Sequence, residues 1–119
     1  MRDEDHPIAD TAALRLKAEQ AFVPTIWWYE VRNMLVMNER RQRISAADSA
    51  KFLVELDAFP IQVAPIRQNS NATVLARQYG LTVYDAAYLE LAIRERLPLA
   101  TLDKALRIAA ELAGISLLT

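Results

Sequence analysis

Two neighbouring stretches decide the reading of this chain: Val83-Tyr84-Asp85-Ala86-Ala87-Tyr88-Leu89-Glu90-Leu91-Ala92 and Leu97-Pro98-Leu99-Ala100-Thr101-Leu102-Asp103-Lys104-Ala105-Leu106. The first has a helical period, and a helix is predicted over residues 83–96. The second opens with a short apolar run, predicted as a buried strand from Leu97 to Thr101. It continues as a helix from Asp103 to about Ala113, which Gly114 stops. On the first helix Tyr84, Tyr88, Leu89, Leu91 and Ala92 form the expected apolar arc. Asp85 projects into that arc, while Glu90 and Arg94 point away. Asp103 follows its strand directly, at the carboxyl end where ligand sites of open α/β sheets lie. Thr101, two residues earlier, is on the same side and offers a hydroxyl. Both aspartates also have a plainer reading. Asp is a common N-cap, and an acid in the first turn faces the positive end of the helix dipole.

A third acid lies upstream in Ile26-Trp27-Trp28-Tyr29-Glu30-Val31-Arg32-Asn33. At about 100° per residue, Trp27, Val31, Met34 and Asn38 share one helix face. Glu30 sits at the margin of that face, and Asn33 lies one turn on, close enough to reach a common point. A surface glutamate at the edge of a core face is the plainer alternative. Trp27 and Trp28 point about 100° apart, so one belongs to the core while the other faces an interface or a second core wall. Acids are rarely buried unless paired, hydrogen-bonded or metal-bound. Glu30, Asp85 and Asp103, each at the edge of an apolar element, therefore suggest one shared cation site, with Asn33 and Thr101 beside it. All these donors are oxygens or amides, which suits Mg²⁺ or Mn²⁺. The chain has no cysteine and a single histidine, His6, so neither a zinc site nor a Ser-His-Asp triad is supported.

The 119 residues, 53% of them hydrophobic, fit one domain spanning residues 1–119 with no internal boundary. The net charge of −1 gives no global attraction to nucleic acid. The one basic cluster is Arg40, Arg41 and Arg43, with Arg32 further back. It reads either as a solvated helix end or as a contact for RNA phosphates. No apolar run is long enough for a bilayer and the first residues are polar, so no membrane and a cytoplasmic location are expected. Two glycines in the whole chain, and no GxGxxG or P-loop, argue against a nucleotide-binding fingerprint. The remaining elements are a helix near 7–20, a β-like Ala21-Phe22-Val23-Pro24, and a helix from Thr25, its N-cap, to about Gln42. A linker follows at Arg43-Ile44. Next come a helix from the Ser45-to-Asp48 capping box to about Asp57, a strand centred on Ile61-Gln62-Val63 within Phe59 to Ile66, and a helix over 67–79 ended by Gly80. Ile115 to Leu118 is a last strand. Strands alternating with helices indicate a parallel sheet covered on both faces.

In this order the residues resemble the PIN domain, specifically the VapC-type toxins of prokaryotic toxin–antitoxin pairs. The likeness rests on the Tyr84-Asp85-Ala86 helix start, the strand ending in Thr101-Leu102-Asp103, and the Glu30-x-x-Asn33 helix, and it covers essentially the whole chain. It implies an α/β/α sandwich with a parallel sheet flanked by helices. It also implies Mg²⁺- or Mn²⁺-dependent cleavage of RNA, in which Glu30, Asp85 and Asp103 are the catalytic and metal-holding acids and Asn33 and Thr101 orient them. A small cognate antitoxin and a homodimer are implied as partners. In one respect the chain departs from the pattern. The family opens with a central strand ending in a further acid, and this sequence opens instead at Arg2-Asp3-Glu4-Asp5. The expectation is a sheet lacking its first, central strand, which Asp3, Asp5 and Asp10 do not replace, and weak or no cleavage by the chain as given. A non-catalytic module, in which the same acids pair with an arginine of an antitoxin, is the alternative.

Overall fold

The structure, a computed structural model, describes residues 21–118. The helix expected near 7–20, with His6, Asp3, Asp5 and Asp10, lies outside the described residues. Within them the order is β1 (Ala21–Pro24), α1 (Thr25–Arg40), α2 (Ala46–Leu56), β2 (Ile61–Ala64), α3 (Ala72–Tyr79), α4 (Val83–Glu95) and α5 (Lys104–Leu112). β1 and β2 pair in parallel, Ala21 opposite Ile61 and Pro24 opposite Ala64. Parallel pairing requires a crossover, which α1 and α2 supply. Pro24 has no N–H to give to a ladder, so it closes β1 and leads straight into α1.

The expected strands Leu97 to Thr101 and Ile115 to Leu118 contract to one parallel bridge between Leu99 and Leu117. The Leu99 N–H donates to the Ser116 carbonyl at 2.8 Å, and the Leu118 N–H to the Leu99 carbonyl at 2.9 Å. Pro98 carries no N–H, which limits how far this pairing extends. Among the described residues the parallel sheet thus comes in two pieces, β1–β2 and the Leu99–Leu117 bridge, and no described strand joins them.

The core follows the same division. Trp27, Val31, Met34 and Leu35 of α1 pack with Ala21, Val23 and Leu56. A second cluster gathers Leu75, Ala86, Leu89, Ala92, Leu99, Leu106 and Ala110. Tyr88 packs against both. The α1 face read from the sequence is the one that is buried. Asn38 at its end is also buried, and its amide donates to the Met34 carbonyl at 2.8 Å, one turn back.

Local chemistry sets the helix ends. At α2, Ser45 Oγ accepts from the Asp48 N–H at 3.0 Å and Asp48 Oδ2 from the Ser45 N–H at 2.9 Å, the reciprocal box the sequence announces. These bonds hold the Asp48 carboxyl below its ordinary 3.8. A lowered carboxyl stabilises the fold above its unfolded value and loses that contribution as pH falls through the lowered one. Ser45→Ala is expected to cost about 1 kcal/mol, read as a lower denaturation midpoint. The Asp48 titration, followed by NMR, should then move back toward 3.8.

Two boundaries depart from expectation. Pro24 rather than Thr25 occupies the N-cap of α1, and the Thr25 hydroxyl instead donates to the Ala64 carbonyl at 3.0 Å, fastening α1 to the end of β2. The helix expected over 67–79 begins only at Ala72, because Gln68-Asn69-Ser70-Asn71 is polar and forms a turn. There the Ser70 N–H reaches the Arg67 carbonyl at 3.1 Å and Ser70 Oγ accepts from the Ala72 N–H. Gly80 ends that helix at φ 66°, a left-handed conformation that glycine adopts without penalty. Among the described residues no helix is long and apolar enough to cross a membrane.

Candidate functional site

Three helices bring the predicted acids to the carboxyl side of the strands. Glu30 sits in the second turn of α1, which follows β1 directly. Asp85 is in the first turn of α4, where its N–H is taken by the Thr82 hydroxyl at 3.0 Å. Asp103 is the N-cap of α5, two residues past the Leu99–Leu117 bridge and Ala100–Thr101. All three side chains are half-buried.

The contact that joins two of these helices is one that sequence reasoning missed. The Tyr88 hydroxyl donates to Glu30 Oε1. Tyr88 is three residues after Asp85 on α4, so the two share a helix face. The bond therefore sets the Glu30 side of α1 against the Asp85 face of α4. The available signal was the spacing itself, an aspartate and a tyrosine one turn apart opposite a marginal glutamate.

Asp103 behaves as the plainer reading describes. Its Oδ2 accepts from the Leu106 N–H at 2.9 Å, and its own N–H donates to the Thr101 hydroxyl at 3.0 Å. Thr101 is buried, and its hydroxyl positions Asp103 through the backbone. Its carbonyl also faces the Arg107 guanidinium at 3.5 Å. Asn33 is exposed on α1, one turn beyond Glu30. Of the basic residues, Arg40, Arg41 and Arg43 are exposed at the carboxyl end of α1, where cations complement the dipole. Arg32 lies apart from them, eight residues back, with its guanidinium over the Trp28 ring.

The apolar arc of α4 also differs from expectation. Tyr84 is exposed, and Glu90, expected to point away, is only 9% exposed. Glu90 forms a two-pronged pair with Arg94, whose Nε and Nη2 each lie 3.0 Å from a carboxylate oxygen. Hydrogen bonding to Glu90 raises the Arg94 pKa, and Glu95 at 3.6 Å extends the network. The Glu-to-Arg spacing of four residues carried that signal. This pair borders an apolar groove of about 340 Å³ at the ends of β1 and β2, beside Tyr29, Ile66 and Tyr84.

The donors suit a hard divalent cation by type, since Glu30, Asp85 and Asp103 offer only oxygen. Their placement departs from the expected shared site. Among the described residues no group of three or more His, Cys, Asp or Glu side chains is placed to hold a metal ion. Glu30 is bonded to Tyr88, and Asp103 to its own helix.

The architecture is that of an α/β protein whose acids are presented by helix starts at the carboxyl end of parallel strands, the usual ligand position of such sheets. The PIN domain family matches residues 1–112, and the chain belongs to it. PIN domains are a superfamily of nucleases, often toxins, and they generally depend on divalent metal ions. No match was found among curated proteins.

Proposed function

We propose that this PIN domain is a VapC-type endoribonuclease toxin in which Glu30, Asp85 and Asp103 are the working carboxylates. The observation that carries the reading is the Tyr88–Glu30 bond, which ties the Glu30 helix to the Asp85 helix at the carboxyl end of β1. Tyr88 orients the Glu30 carboxylate, and Thr101 orients Asp103 through the Asp103 N–H. Asn33 adds an exposed amide one turn from Glu30. Mg²⁺ or Mn²⁺ is the ion in this reading, because the donor set is oxygen-rich.

RNA is the substrate, with Arg40, Arg41 and Arg43 as phosphate contacts that salt should weaken. A small cognate antitoxin and a second copy of the chain are the partners in this reading, and the cytoplasm is its compartment. Calorimetric titration with Mn²⁺ tests it. Saturable binding that Asp103→Ala abolishes is the expected result. Absence of binding favours the non-catalytic alternative, in which the same acids pair with an arginine of the antitoxin.

A further inference from the structure

Both tryptophans of the chain line one small cavity on the flank of α1, away from the Glu30 face. The cavity measures about 130 Å³, and Arg32, Asp57, Phe59 and one side of β2 complete it. That is room for a few waters or one planar ring system. Trp27 is 4% exposed, and its indole Nε1–H is buried without a hydrogen-bond partner. That N–H is closed to the cavity, so Trp27 contributes an apolar wall to it. The neighbouring Trp28 is 42% exposed. The Arg32 guanidinium lies 3.7 Å from its ring centroid, and Arg32 Nη1 donates to the Trp28 carbonyl at 3.1 Å, so the cationic plane is held in place. Phe59, at the end of the α2–β2 connection, adds a second exposed ring, and Asp57 adds a carboxylate acceptor.

Unpaired RNA bases are read by stacking on aromatic rings and arginine planes and by hydrogen bonds along their edges. We propose that this cavity binds a single guanine base of the RNA substrate. The base stacks against Arg32 and Phe59, and Asp57 accepts from its N1–H and N2–H groups. Guanine is the one common base that offers two adjacent donors to a single carboxylate. The proposal rests on the ribonuclease reading for the identity of the ligand as RNA, but its site is separate from the three acids.

Intrinsic fluorescence reports on this cavity directly, because Trp27 and Trp28 are the only tryptophans in the chain. Short oligouridylates carrying one central G, A or C are titrated into the full chain with a chelator present, so that cleavage plays no part. The G-containing oligomer should quench saturably and bind about ten-fold or more tightly than the A- or C-containing ones. Asp57→Asn should erase that preference. Arg32→Ala should weaken binding of the G oligomer about ten-fold, with an unchanged circular dichroism spectrum. Equal quenching by all three oligomers, no quenching, or a preference that survives Asp57→Asn overturns the proposal. The Asp85→Asn variant separates the two readings, since it should keep the guanine preference. Mn²⁺ binding that depends on Asp103, without that preference, rejects the pocket alone, whereas the preference without such Mn²⁺ binding rejects the nuclease reading and leaves the pocket standing.

Discussion

Whatever divalent-ion-dependent RNA cleavage the chain shows should be lost in Asp85→Asn, its rate falling by about a hundred-fold or to the detection limit. The argument begins with isosterism. Asparagine keeps the size of the side chain and can remain in the first turn of α4, where the Thr82 hydroxyl takes the residue's backbone N–H. Only the negative charge is lost. If Asp85 serves the ion, its charge stabilises the transition state by several kcal/mol, and each 1.36 kcal/mol is a factor of ten in rate. If Asp85 is merely a first-turn acid, the effect falls on stability, of which the dipole interaction is about 0.3–1 kcal/mol, with cleavage unchanged. A single-turnover assay on a clean preparation, run beside a thermal melt, distinguishes the two. An undiminished rate rejects the catalytic role.

Arg94→Ala is expected to destabilise the fold by about 3 kcal/mol. Glu90 and Arg94 are among the least exposed charges described, with side-chain exposures of 11% and 16%. Their two 3.0 Å bonds satisfy both groups. Deleting the arginine leaves the Glu90 carboxylate in a mostly apolar wall without its main partner, and the cost is dominated by that uncompensated charge. Glu95 does not rescue it, being an acid itself. Replacing both residues together, Glu90→Leu with Arg94→Leu, should restore most of the stability, because desolvation of the pair nearly offsets its attraction. Urea midpoints of the single and double variants measure this. A single variant as stable as the parent would mean that the pair is solvated and contributes little.

The largest gap between sequence and structure lies at these charges. An i,i+4 Glu–Arg pair reads as a solvated helix face, since that is where most such pairs are found. Here the 65–72 connection and the start of α1 wall the groove that this face of α4 borders. No local pattern foretells which loop will cover a helix. The helical period puts Tyr88 on the partly buried side of α4, but its hydroxyl partner is 58 residues away. Thr25 shows the same limit at shorter range. Its position invited a capping role, yet a carbonyl on β2 competed for the hydroxyl and won.

What local chemistry alone decides is read correctly from this chain. The Ser45–Asp48 box, the Gly80 stop, the N-cap at Asp103 and the buried face of α1 depend on neighbours within a turn, so composition and spacing suffice to find them. The motifs around Asp85 and Asp103 likewise point to the family that matches the chain. What only the tertiary structure decides is how far apart those local pieces stand once packed. Among the described residues it leaves the parallel sheet in two pieces, sets Tyr88 between the two core clusters with Glu30 as a partner, and leaves the acids short of a three-carboxylate cage. The physical reason is range. Helix caps and amphipathic faces are set by bonds a few residues long, whereas the meeting of carboxylates depends on the summed packing of elements far apart in sequence.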